Sequence, residues 1–208
     1  WNISSLQIAN NMFDGTGLNF SLQIINLLKE LSTTLSAVII DAAALSTTTL
    51  SDAAGYFSPF TLAIFVPGGF EALTDAVAAF DDAVKAVEHD KNTINTVTVQ
   101  IESGAYSREY IYQSLLSVEQ NLFHFGTGTA INQLRDMAVA AGGSPLGDGM
   151  LANLNNLTEK NDMARSELRA IIDAIINAIR NSYNIWQSWS SVSSINNTNA
   201  TAIGQVMN

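Results

Sequence analysis

Apolar residues recur along this chain at alternating spacings of three and four, the repeat of an amphipathic helix. From Leu18 the series runs Leu22, Ile25, Leu28, Leu31, Leu35, Val38, Ala42 and Leu45. A second takes Phe70, Leu73, Val77, Phe80, Val84, Val87, Ile94, Val97 and Ile101, with Lys91 standing where the repeat expects an apolar residue. A third holds Ile111, Leu115, Val118, Leu122 and Phe125, with Ser107 as its expected cap, and a short fourth holds Ile131, Leu134 and Met137. The fifth is the longest, from Leu151 through Leu154, Leu157, Ala164, Leu168, Ile171, Ile175 and Ile179 to Tyr183 and Trp186.

Helix breakers fall between these series: Gly55, the Pro67-Gly68-Gly69 turn, Ser103-Gly104, Gly126-Thr127-Gly128 and Gly142-Gly143-Ser144-Pro145. No segment alternates at period two for long; the β-branched stretch from Thr93 to Ile101 comes nearest. The pattern predicts an all-α fold, a bundle of about five mostly long, antiparallel amphipathic helices. A single domain is expected over residues 1–189, with a short lead-in at 1–17. The polar, Ser- and Asn-rich stretch 190–208 is expected to be a flexible tail, with Trp186 and Trp189 packing the end of the last helix.

Composition narrows the function classes. Apolar residues make up 47% of the 208 and charged residues only 13%, which excludes a disordered chain. Nineteen acidic against nine scattered basic side chains give a formal charge of −10, and nucleic-acid binding needs the opposite sign gathered in a stripe. No cysteine is present, so a disulfide scaffold, a zinc knuckle and a thiol nucleophile are all excluded. No uninterrupted apolar run approaches the ~18 residues that span a bilayer, so a soluble protein without a transmembrane segment is expected.

A chain that begins at Trp1 reads as one whose leader has been removed. Five Asn-x-Ser/Thr sequons start at Asn2, Asn19, Asn156, Asn196 and Asn199. Their number is near what chance gives in a chain so rich in these residues. Together with the Lys-poor composition they set the expectation of a secreted, extracellular glycoprotein, with Asn2, Asn196 and Asn199 best placed for glycans.

The sequence offers no catalytic constellation. Gly142 to Leu146 offers only half of a nucleophile elbow, and Gly126-x-Gly128 lacks the third glycine of a dinucleotide loop. His89 and His124 lie on different helices, the first expected in solvent and the second at the edge of an apolar seam. Glu71, Asp75, Asp81, Asp82, Glu88 and Asp90 surround a single Lys85; without the glycine-turned loop that calcium requires they read as a solvated face. The expectation is no enzyme, no metal and no cofactor.

One segment departs from the pattern. Residues 56–70 read YFSPFTLAIFVPGGF, apolar where an interhelical loop is normally polar. It is either a short buried plug at the bundle end or the mouth of an apolar binding site. The second alternative fits the surplus of large apolar residues on long helices: a non-enzymatic binder of a fatty acid or similar lipid, held in a bundle cavity. Phe57, Phe60, Phe65 and Phe70 would form its mouth, and Phe80, Val84, Leu115, Leu122 and Phe125 its walls. A carboxylate head would need Lys91, Arg108, Tyr110 or Tyr112 as partner, because a buried anion must be paired. The competing expectation is a structural, self-assembling coiled-coil-like homo-oligomer whose register Lys91 sets. Membrane insertion is less favoured, since no Lys/Arg-rich polar face accompanies the stripes.

Three stretches, LLKELSTTLSAVIIDAAALS (27–46), ALTDAVAAFDDAVKAVEHD (72–90) and MLANLNNLTEKNDMARSELRAIIDAI (150–175), resemble the fungal hydrophobic surface-binding protein A and cell-wall galactomannoprotein family. The resemblance covers residues 22–180. It implies a secreted, cell-wall-associated, all-helical protein that adheres to hydrophobic surfaces or captures fatty acids. It carries over no single motif residue, and the chain departs from it in the phenylalanine-rich segment and the Asn-rich end.

Overall fold

The computed structural model describes residues 16–104 and 108–206, and all regular structure among them is helical. The helices are α1 (Thr16–Tyr56), α2 (Pro59–Phe65), α3 (Gly69–Ser103), α4 (Arg108–Thr127), α5 (Thr129–Ala140) and α6 (Pro145–Val206). The all-α bundle anticipated from periodicity is therefore the fold, and Thr93 to Ile101 lies within α3. Asn2 and Ser107 lie outside the described residues.

Polar contacts between helices set the topology. Lys29 reaches Glu102 at 2.7 Å, Ser32 reaches Asn95 at 2.8 Å and Ser46 reaches Asp81 at 2.6 Å, so α1 and α3 run antiparallel. Thr34 with Glu167, and Lys160 with Asp41, make α6 antiparallel to α1. Arg135 of α5 meets Asn155 and Thr158, while Glu119 of α4 meets Arg165 and Arg169. The result is an up-down-up-down four-helix bundle. Its fourth position is filled by α4 and α5 in succession, both packed on α3 and α6 and lying diagonally across from α1.

At the end where α1 stops, α2 forms a lid between α1 and α3. The adjoining turn needs two left-handed residues, and Gly68 (φ 83°) and Gly69 (φ 67°) supply them without a Cβ penalty. The axis bends by 66° between α2 and α3, laying the short helix across the bundle end.

Burial follows the stripes. On α1 the seam Ile24, Leu28, Leu31, Leu35, Val38, Ala42, Leu45 and Thr49 alternates steps of four and three without interruption. On α3 one expectation is corrected. A strict seven-residue repeat seats Lys91 in the core after Val87, but the structure seats Asp90 there and leaves Lys91 half-buried at the edge. At about 100° per residue, Asp90 and Lys91 fall about 60° to one side and about 40° to the other side of Val87, so either can enter the seam; Asp90 does, its Oδ1 accepting a hydrogen bond from Asn121 of α4.

The last helix also differs from expectation. It begins at Pro145, where proline's missing N–H costs nothing, and remains helical through Val206. Of the stretch assigned to a flexible tail, residues 190–206 are thus a continuation of α6. With Thr34 opposite Glu167, α6 outruns the start of α1 by about 20 residues, or about 30 Å at 1.5 Å per residue.

Truncation at the seam and outside it should separate clearly. Leu35→Ala, at a fully buried site, is expected to lower unfolding free energy by about 3 kcal/mol in urea denaturation. Ile40→Ala, at an exposed site on the same helix, is expected to change it by less than about 0.5 kcal/mol. Equal losses would contradict the assigned face.

Candidate functional site

Between Asp52 and Glu71 the chain carries no charged residue over the 18 positions 53–70. Local chemistry makes α2 from this segment. Ser58 precedes it and accepts a hydrogen bond from the Thr61 N–H at 3.2 Å, and Pro59 opens the first turn. Val66 closes the helix by donating its N–H to the Leu62 carbonyl at 2.8 Å. Leu62 and Val66 are buried and fix the lid to the bundle. Phe57 and Phe65, half-buried, meet with ring centroids 5.5 Å apart at 60°.

The outward face is apolar as well. Phe60 and Ile64, four residues apart and so on one face of the helix, are 80% and 68% exposed. Tyr56 is 67% exposed and Phe70 is exposed beside them. Four large apolar side chains at one bundle end form the kind of patch that marks an interaction site. Its rim is acidic: Glu71, Asp75 and Asp148 are exposed, and Asp52 is half-buried. No lysine or arginine occurs at positions 30–84 or 136–159, the parts of α1, α3, α5 and α6 that lead to this end. The cations that bound these stretches are engaged: Lys85 with Asp82 at 2.6 Å, Arg135 with Asn155 at 2.9 Å, Lys160 with Asp41 and Lys29 with Glu102.

The structure divides the residues expected to form one site. Phe57, Phe60, Phe65 and Phe70 do gather at the lid. Phe80, Val84, Leu115, Leu122 and Phe125 belong to the buried core, where Phe80 and Phe125 face each other at 5.9 Å. Lys91 lies 22 positions along α3 from Gly69, about 33 Å from the lid. Tyr110 and Tyr112 are exposed near the start of α4, toward the opposite end, where Arg108 begins the helix. An antiparallel α3–α4 pair necessarily separates these head-group candidates from the mouth.

Among the sequon residues, Asn156 is exposed on α6, its amide nitrogen donating to Asp41 at 3.2 Å. Asn19 lies on α1, and Asn196 and Asn199 on α6.

A second feature escaped the sequence. Five of the six clustered carboxylates of α3 are exposed as expected, but Asp90 is only 1% exposed. Its Oδ1 accepts a hydrogen bond from Asn121 at 2.8 Å, while Oδ2 has no partner within the protein. Nearby, Asn161 of α6, equally buried, donates to the Leu122 carbonyl at 2.9 Å. Gly126 permits that approach, since a Cβ there would stand 2.7 Å from the Asn161 amide. Burial pushes the Asp90 carboxyl up to about 6, held from rising further by Asn121 and by His89. Glu119 behaves oppositely: burial favours its neutral form, but Arg165 and Arg169 outweigh this and lower its pKa. Arg165 also lies over the Phe123 ring, 4.8 Å from its centre.

By length and composition, Leu22–Tyr56 is one helix able to cross a membrane. Ser, Thr and Ala interrupt its large apolar residues, so no unbroken apolar run marks it in the sequence. In the bundle its seam is buried against α3 and α6. Among the described residues no three metal-ligating side chains cluster. No protein-family model, curated protein or solved structure matches the chain.

The Asp90 layer gives a pH prediction. Its folded pKa lies above the unfolded value, so the native state binds the extra proton and gains stability as pH falls from 7 through 6 toward 4. Asp90→Asn is expected to raise stability at pH 7.5 by about 1–2 kcal/mol and to flatten this trend. Thermal midpoints of both proteins at pH 7.5 and 5.0 measure it. A parent protein less stable at pH 5.0 than at 7.5, with the variant following the same course, would contradict the assignment.

Proposed function

We propose that this protein is a non-enzymatic binder of apolar material, and that it works through the charge-free lid at one end of the bundle. The observation that carries this reading is the outward face of α2, where Phe60 and Ile64 stand in solvent while Leu62 holds the helix down. Exposing such side chains has no benefit to the isolated fold; covering each contributes about 1.5–3 kcal/mol before ordering costs. The ligand class is a fatty acid, a related lipid or a hydrophobic surface. The family resemblance implies the same class, and with it secretion, glycosylation and association with a cell wall.

The lid is favoured over the bundle interior because the supposed cavity walls are packed on one another, with Phe80 against Phe125. Self-assembly through a polar core residue loses its support at Lys91, which stands at the edge of the seam.

Adsorption of the full chain to octyl-agarose tests the proposal. The double variant Phe60→Ser, Ile64→Ser is expected to bind at least about tenfold more weakly. Val99→Ser, at an exposed site toward the other end of α3, should bind like the parent. Equal loss in both, or in neither, would overturn the assignment to the lid.

A further inference from the structure

Resting on that reading, we infer that the lid docks on the surface of a phospholipid bilayer whose headgroups carry no net charge, with α2 lying in the interfacial plane. Four observations converge. The 66° bend lays α2 across the bundle end, so the helix meets a flat surface side-on. Phe60 and Ile64 are exposed on one face of it, with Tyr56 and Phe70 exposed at either side in the chain, an apolar group suited to a soft interface, with the aromatic residues that favour headgroup depth.

The backbone of the segment is also prepared for low water activity. Pro59 has no N–H, and the Thr61 N–H is bonded to Ser58 Oγ. The amides of Leu62, Val66 and Gly69 are bonded to the carbonyls of Ser58, Leu62 and Val66 at 2.8–2.9 Å. These groups need no water when the lid enters an apolar medium.

Charge selects among occupants. The exposed carboxylates Glu71, Asp75 and Asp148 ring a patch that has no cation on the adjoining helix ends. An anionic bilayer would be repelled by this rim. A second copy docking lid to lid would bring rim against rim, which is equally unfavourable. A zwitterionic surface takes the apolar side chains without that opposition, leaving the carboxylates in water.

Flotation of the full chain with phosphatidylcholine vesicles, with and without phosphatidylserine, tests this. The expected result is binding to phosphatidylcholine, weakened severalfold by phosphatidylserine at low salt and restored as salt screens the repulsion. The Phe60→Ser, Ile64→Ser variant, its fold checked by circular dichroism, should bind about tenfold less or worse. Adsorption to octyl-agarose through the same residues but none to phosphatidylcholine would overturn the bilayer inference alone. Failure on both supports would remove the underlying reading too. Tighter binding with phosphatidylserine, or concentration-dependent dimers abolished by the double variant, would also overturn it, the latter by assigning the lid to a second copy.

Discussion

The fold depends on one apolar seam, the unbroken alternation of steps from Ile24 to Thr49 on α1. Because that stripe is wide enough to face two neighbours, α3 and α6 both pack on it, and the three helices define the long axis of the bundle. The remaining apolar stripes, on α4 and α5, close the opposite side against α3 and α6. Within the bundle these stripes cover one another, and large side chains such as Phe80 and Phe125 meet each other.

That closure sharpens the meaning of what is left uncovered. Isolated exposed apolar residues such as Ile40 and Val99 occur on the helix flanks, as on any protein surface. At the lid four of them gather beside a chain segment without charge, ringed by carboxylates. A compact seven-residue helix held by Leu62, Val66 and the Phe57–Phe65 contact presents them on a fixed support. The buried polar layer is a separate matter. Asp90, with Asn121, and Asn161, on the neighbouring Leu122 carbonyl, put polar groups in an otherwise apolar core, and Asp90 pays with a raised pKa.

Much of the architecture was legible in the order of residues. The spacing of Leu28, Leu31, Leu35 and Val38 on α1, or of Ile111, Leu115 and Val118 on α4, identifies the buried face directly, because helical period and burial share one geometry. Asp90 was not legible, because Asp90 and Lys91 lie on either side of the line through Val87, and residue order alone does not say which of the two turns inward. The lid was noticed from its phenylalanines, yet residue type alone does not tell Phe57 and Phe65, turned toward each other, from Phe60 and Ile64, turned outward. The separation of Lys91, Tyr110 and Tyr112 from the lid follows from the antiparallel path of α3 and α4, a property of tertiary arrangement.

The central claim is that apolar material is met at the lid and not within the bundle. Amide hydrogen exchange on the full chain, with and without suspended apolar particles or lipid, tests it most directly. The account predicts added protection concentrated over residues 53–70, with exchange in 111–125 unchanged. Protection of α4 and the facing part of α3, with the lid unaltered, would contradict it and place the ligand in the core.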